Sequence, residues 1–293
     1  MSIQSPKVSV LMPIYNTQEA YLREAIESVL SQTFQDYEFI ILNNSPSNTK
    51  LDEIVTSYKD NRIRYVKSEQ NTGISEGRNR LMELAKGEYF AVLDHDDICL
   101  PTRFEEEVKV LDEHPEIGVV GTLYERFPVS KGISKMSETS EAIEHHLMEG
   151  CAVLHPSSMI RASVLKENNI RYEEKFTPAE DYALWCWLIG KTKFYNIQKV
   201  LMKYRWHENN ASKLQAKQME QATASIHAFV RAEHPQLWKD VCENAPHVMR
   251  MKFFGIIPLG KFVQKGNKRP GLLKYTPFIT TRMKLDKEWY LKK

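Results

Sequence analysis

The 293-residue chain is poor in the residues that mark out several protein classes. It has four cysteines, Cys99, Cys151, Cys186 and Cys242, far apart and with no Cys-x-x-Cys. That argues against a zinc ribbon or a disulfide framework and suits reduced thiols in a cytosolic compartment. Twelve glycines and 13 prolines are too few for a collagen-like, linker-dominated or disordered chain. No apolar run approaches the ~20 residues that span a bilayer. The best uncharged stretches, Tyr182–Gly190 and Phe253–Gly260, are much shorter. The start, Met1-Ser-Ile-Gln-Ser-Pro-Lys7, lacks a basic segment followed by an apolar one, so no signal peptide is expected. An excess of one charge is missing too: 40 Lys and Arg face 38 Asp and Glu, a net charge of +2. The totals alone do not suggest a polyelectrolyte binder.

What is present is material for a core, 42% hydrophobic and 10% aromatic residues, laid out with two alternating periods. Val8–Met12, Glu38–Leu42, Arg62–Val66, Tyr89–Leu93 and Ile117–Tyr124 read as strands. Residues 20–33, 51–58, 75–86 and 102–113 read as helices, the third capped by Gly87. Strand-helix alternation with short connections predicts an α/β fold, a mostly parallel sheet with helices on both faces. Further on, 140–148 and 179–190 read as helices and Val153–Ile160 as a strand. Phe194–Ile197 and Val200–Tyr204 read as two short strands, and Leu214–Arg231 as a long helix. The domain reading is a catalytic domain over 1–212, split near 124, and a helical extension over 213–293 ending in a basic tail.

Ligands of such sheets sit at the carboxyl ends of the strands. Three of those ends carry polar residues: Pro13-Ile-Tyr15-Asn16, Asn43-Asn44-Ser-Pro-Ser-Asn48 and Asp94-His95-Asp96-Asp97. The Asp-x-Asp-Asp run crowds carboxylates whose repulsion a divalent cation with oxygen ligands would relieve. A capping turn before the next helix accounts for the same aspartates. Asn71-Thr-Gly73 leads into a helix bearing Arg78 and Asn79, which suits an anion or an ordinary solvated helix. Glu180-Asp181 opens an apolar helix, as a dipole-complementing pair or as a general base. His207 reads either as a metal ligand or as a structural histidine. Asn210-Ala-Ser212 matches a glycosylation sequon, which has no meaning in a cytosolic chain.

Taken in order, these segments resemble the family 2 inverting glycosyltransferases of the GT-A fold, over roughly residues 7–212. The resemblance runs through Val8–Asn16, Ala25–Phe34, Asn71-x-Gly73 with Arg78-Asn79, and Asp94–Ile98 with Pro101. It continues through His155-Pro-Ser157 with Arg161, Ala179-Glu-Asp181 with Trp185, and Tyr204-Arg-x-His207 with Ser212. It implies transfer of a sugar from a nucleotide diphosphate, UDP in the first instance, to an acceptor hydroxyl with inversion, giving a β-linkage. Pro13, Tyr15, Asn16, Asn43 and Asn44 are implied around base and ribose, and Asn71, Gly73 and Arg78 near ribose or phosphate. Asp94, His95 and Asp96 are implied at ribose, donor sugar and metal. His207 resembles a second ligand of Mn²⁺ or Mg²⁺. Asp181 resembles the general base and Glu180 its helper. One departure stands out: the family usually has Asp-Asp-Gly-Ser where this chain has Asn43-Asn-Ser-Pro46.

The stretch from His155 to Ser212 resembles bacterial enzymes that extend lipooligosaccharide or capsule chains, which implies a cell-surface glycan or glycolipid acceptor. Two alternatives remain: a non-catalytic or weakened module of the same fold, and a nucleotidyltransferase. The latter's Gly-rich basic loop after the first strand is missing. The last feature is the tail. Residues 247–293 hold 12 Lys and Arg against Asp286 and Glu288, a net +10, which leaves −8 for the rest. Aromatic and aliphatic residues alternate with these cations along the sequence. That composition predicts an anionic membrane surface as partner, at the inner face of the bacterial inner membrane, rather than nucleic acid. A helical cap on the catalytic domain is the plainer reading.

Overall fold

The computed structural model describes residues 5–128, 132–208, 210, 214–244, 246–253, 257–265 and 279–285, the last three segments by their backbone. The chain divides into two compact units, Met1–Glu144 with Cys151–Ile226, and His145–Gly150 with His227–Lys293.

The first unit is built on a sheet of order β3-β2-β1-β4-β8-β6-β9-β5, with the two-residue β7 (Gly132–Ile133) paired to β6. Its first half is parallel: β1 (Val8–Ile14) lies between β2 (Tyr37–Asn43) and β4 (Tyr89–Val92), and β3 (Ile63–Lys67) extends β2. β1 is apolar but for the buried Ser9 because both faces are covered, as parallel strands require. Helix α1 (Glu19–Leu30) buries Leu22, Ala25, Ile26 and Val29 against Val8, Val10, Met12, Phe39 and Ile41. Each such side chain contributes about 1.5–3 kcal/mol when fully buried.

The second half is mixed. β8 (Met159–Arg161) runs antiparallel to β4 and β6 (Ile117–Pro128), and β6 pairs in parallel with β9 (Lys193–Trp206). β5 (Ile98–Cys99), unseen in the sequence, is a two-residue strand antiparallel to β9. The two strands expected over 194–204 are one strand whose register with β6 shifts instead of breaking. The strand expected over 153–160 begins only at Met159. His155–Ser157 is a 3₁₀ turn holding Pro156, which has no N–H to give a ladder. Helices α2 (Thr49–Ser57), α3 (Ile74–Leu84) and α4 (Arg103–Glu113) fall where periodicity puts them. α5 (Ser140–Leu147), α6 (Ala162–Glu167), α7 (Glu180–Leu188) and α8 (Ala216–Glu233) follow. Gly87 does not cap α3, which ends at Leu84. It is needed because a Cβ there would lie 2.5 Å from the Ser9 backbone nitrogen.

Beyond α8, the extension expected to be helical stays so through Pro235–Trp238 and Lys239–Asn244 and then turns into a sheet. β10 (Pro246–Phe253) lies between β11 (Ile257–Lys265) and β12 (Ile279–Leu285), all antiparallel, in the order β11-β10-β12. Among the described residues no helix is long and apolar enough to cross a membrane.

Candidate active site

The carboxyl ends of β1 and β2 are tied together first. Asn16, at φ 47°, donates its backbone N–H to Ser45 Oγ at 2.9 Å, and Asn44 N–H donates to Ile14 O at 2.9 Å. Tyr15 projects beside them, 51% exposed, and Pro13 is half-buried in β1. Asn43 is fully buried. Its Nδ2 donates to Asp52 Oδ1 (3.0 Å) and Tyr65 OH (2.9 Å), and its Oδ1 accepts from Ser45 N–H (2.8 Å). An aspartate there would set a second carboxylate against Asp52, which accounts physically for the asparagine in this chain. Asn44 holds the 71–73 turn: its Nδ2 donates to Asn71 Oδ1 (3.1 Å) and Gly73 O (2.9 Å), and its Oδ1 accepts from Thr72. Gly73, at φ 82°, then starts α3.

α3 turns a polar face inward. Ser75, Arg78 and Asn79 are buried, so Arg78 is not a solvated surface arginine. Arg78 donates to Glu180 Oε1 through Nη1 and to Asp94 Oδ1 (3.2 Å) through Nη2. Its guanidinium lies 5.6 Å from the Tyr172 ring centroid. Asn79 exchanges two hydrogen bonds with the Tyr172 backbone, at 2.9 and 3.0 Å. Ser75 Oγ lies 2.9 Å from Thr177 Oγ1. One helix thus joins the end of β4 to the start of α7.

Asp181 is the titrating member of this group. Burial, and then the neighbouring Glu180 charge, push its carboxyl up to about 7, with Arg78 opposing and Asp94 adding to the rise. Its Oδ1 accepts the Tyr182 N–H at 2.7 Å. Glu180 is buried, and its Oε2 has no hydrogen-bond partner among the described residues.

The aspartate cluster after β4 faces the end of β9. His207 Nε2 lies 2.8 Å from Asp96 Oδ2, with 23% and 16% of their side chains exposed. The His207 ring stacks on Tyr21 with centroids 5.9 Å apart. Asn210 holds that histidine in place: its Oδ1 accepts the His207 N–H (2.7 Å) and its Nδ2 donates to Arg205 O (3.1 Å). Arg205 donates through Nε to Asp96 O (2.6 Å) and through its backbone N–H to Asp97 Oδ1 (2.7 Å). It also donates to Glu24. Asp97 is buried with Oδ2 unpartnered, and burial, then Asp96 and Asp94, hold its carboxyl well above the usual range. His95 Nδ1 is likewise buried without a hydrogen-bond partner.

Behind both groups, His155 Nε2 lies 2.8 Å from Tyr172 OH, and burial, then Arg78 and Arg103, hold the imidazole well below its ordinary pKa. Arg103 is wholly buried and donates to Pro156 O (2.8 Å), Val92 O (3.0 Å) and Ser158 O (3.0 Å), with Glu107 on its Nε at 3.2 Å.

The sequence model of the family described as Glycosyl transferase family 2 matches residues 9–173. The chain belongs to that family. An uncharacterized glycosyltransferase of Methanocaldococcus jannaschii is 35% identical over 210 residues, covering 69% of this chain and 72% of that one. The minor teichoic acid biosynthesis protein GgaB of Bacillus subtilis is 35% identical over 222 residues, 71% of this chain but 24% of GgaB. Among solved structures, S. aureus TarS residues 1–349 in complex with UDP-GlcNAc superimposes with a TM-score of 0.67. It is 20% identical, over 80% of this chain and 71% of that one, a likeness in fold. A mannosyltransferase of Pyrobaculum calidifontis, in complex with GDP-Man and Mn²⁺, gives a TM-score of 0.58 at 13% identity, over 82% of this chain and 74% of that one.

The glycosyltransferase has the GT-A architecture, and the family match stops before Glu180, Asp181, Arg205 and His207. Geometry is what joins those four to the strand ends. The site brings the sequence-predicted residues into two groups, Arg78–Asp94–Glu180–Asp181 and Asp96–His207. The second group fits a divalent cation. Its donors would be one carboxylate oxygen, the ligand type that Mn²⁺ and Mg²⁺ favour, and one imidazole nitrogen, a softer donor that suits Mn²⁺ better than Mg²⁺. The adjacent Asp97 oxygen is a buried acceptor still unsatisfied. Among the described residues no three His, Cys, Asp or Glu side chains close on one point.

Sequence reasoning assigned no task to Arg103, Arg205, Asn210, Tyr172 or Asn79. Arg103 had a readable signal: a cation in the first turn of a helix opposes the dipole and implies another purpose.

Proposed function

We propose that the transferase moves a sugar from a nucleotide diphosphate donor, UDP-linked in the first instance, to a hydroxyl of a cell-surface glycan. The single observation that supports it best is the Arg78-linked carboxylate group: a carboxyl near neutrality, Asp181, joined through Glu180 and Arg78 to Asp94. A base poised near 7 suits proton removal from a sugar hydroxyl.

In this reading Asp181 takes the acceptor proton as the oxygen forms its bond to the anomeric carbon. The bond to the diphosphate oxygen breaks on the opposite face, so an α-linked donor gives a β-linkage. No enzyme nucleophile is needed. Glu180 keeps the Asp181 proton affinity high, and Arg78 fixes Glu180 and Asp94 in one geometry. Pro13, Tyr15, Asn16 and His95 border the nucleotide. Asn43, Asn44, Asn71 and Gly73 shape that border through bonds they make among themselves and with their neighbours. Asp96 and His207 would hold Mn²⁺ or Mg²⁺, which supplies charge neutralisation for the diphosphate when bound.

The acceptor class draws support from the naming of GgaB as a teichoic acid biosynthesis protein. Its membrane setting, at the inner face of the bacterial membrane, rests on the +10 tail. The test is a panel of nucleotide sugars assayed for transfer and hydrolysis, with Mn²⁺ and after chelation. Activity is expected to require the metal, and metal-independent turnover would remove the role given to Asp96. Asp181→Asn should lower transfer about 10²–10⁴-fold while calorimetry still records donor binding. Lost donor binding would put Asp181 in the nucleotide site instead.

A further inference from the structure

In the sequence the tail's cations and apolar residues alternate. In the antiparallel register of β10–β12 the cations collect on one face. Arg250 is opposite Lys261 on β11 and Arg282 on β12. Val248 is opposite Val263 and Lys284, Lys252 is opposite Pro258 and Thr280, and Pro246 is opposite Lys265. Directly opposed residues share a face, and alternate residues of one strand share it too. All six cations of the three strands, Arg250, Lys252, Lys261, Lys265, Arg282 and Lys284, therefore fall on one face. That face also holds Pro246, Val248, Pro258, Val263 and Thr280, and the other takes Met249, Met251, Phe253, Ile257, Phe262, Ile279, Met283 and Leu285 with His247, Gly260, Gln264 and Thr281. The three strands contain no Asp or Glu.

Lys261, Arg250 and Arg282 form a row across the sheet, with neighbouring strands about 4.8 Å apart. Like charges directly opposed destabilise a sheet. Burying unpaired cations costs far more. A face of this kind is favoured when water or anionic groups cover it, and the row of three concentrates that requirement. The face carries no aromatic residue on which a base could stack, since Phe253 and Phe262 lie on the opposite side. A flat array of cations without stacking platforms matches a planar anionic surface better than a nucleic-acid strand.

We propose that the cationic face of the β10–β12 sheet is a docking surface for anionic phospholipid membrane. It deepens the membrane setting proposed above and is measured without donor or acceptor, so its failure leaves the transfer reading standing.

The full chain is expected to sediment with phosphatidylcholine vesicles containing about one-third phosphatidylglycerol, and not with phosphatidylcholine alone, at roughly fivefold in affinity per cation. The decisive variant keeps net charge and composition but moves two cations to the other face: Gln264→Lys with Lys265→Gln, and Thr281→Arg with Arg282→Thr. Its binding should fall at least about tenfold. A second variant guards against misfolding. Arg250→Gln removes the middle cation of the row, so its thermal midpoint should hold or rise while vesicle binding falls about fivefold. Three results would overturn the proposal: wild-type binding that ignores lipid charge, a swapped variant that binds like wild type, or preference for single-stranded RNA over the anionic vesicles.

Discussion

Asp181 carries the chemistry at the scale of one residue, and its environment makes a signed prediction. A base works only when ionised, so transfer should rise with pH through about 7 and level above it. Glu180→Gln removes the charge that, after burial, does most to raise that carboxyl. Arg78 is then less neutralised, which acts in the same direction, so the limb in the pH profile of kcat/KM should move to lower pH. A limb unmoved by Glu180→Gln would detach it from Asp181. The stability effect has the opposite sense. Between about 4 and 7 the folded state holds a proton that the unfolded state has released, so this group's contribution to stability falls as pH rises through that window. Asn43 makes the second prediction at this scale. Asn43→Asp puts a carboxylate where Nδ2 now donates to Asp52 at 3.0 Å, and should cost about 1–3 kcal/mol at neutral pH. Urea midpoints should show the cost shrinking as the pH is lowered toward 4. The departure from the usual Asp-Asp run was legible in the sequence. Its cause was not, because Tyr65 reaches Asn43 across the β2–β3 pairing and Asp52 comes to it from α2.

Among the elements, α3 and α4 place the site. Periodicity located both helices to within two residues. Their inward faces were less legible, because an apolar periodicity search passes over Ser75, Arg78, Asn79 and Arg103 as surface residues. Arg103 clamps the end of β4 and the 156–158 turn by donating to three backbone carbonyls. Burial pushes its partner Glu107 up to about 7 against the pull of the arginine. Arg103→Met should lower the unfolding free energy by about 3–5 kcal/mol, because it strands a buried acid and three acceptors. The denaturant midpoint should fall with little change in slope. Adding Glu107→Leu should recover part of the loss, and a strictly additive double variant would mean that the two side chains are not coupled. Of His155 and Tyr172, in the shell between this clamp and Arg78, only His155 was visible in the sequence, as one member of a run of motif residues.

Over the whole molecule the near-neutral total conceals a −8 part and a +10 part. Raising ionic strength from about 0.1 M to 1 M shortens the screening length from about 10 Å to 3 Å. Vesicle association through the tail should drop steeply over that range, while transfer to a soluble acceptor at saturating donor should change by less than about twofold, as buried pairs are screened little. Equal losses in both assays would tie the salt effect to the catalytic centre instead. The sequence by itself determined the α/β class, the order of the first four strands and their helices, the strand ends that carry polar residues, and the charge division. Local periodicity and residue chemistry are enough for those. Tertiary structure decided the rest. It turned the sheet from parallel to mixed at β8, brought Glu180 to Arg78 across 102 residues and His207 to Asp96 across 111. It also gathered the cations of the three described tail strands onto one face. These outcomes depend on chain crossover and strand register, which no window of neighbouring residues contains.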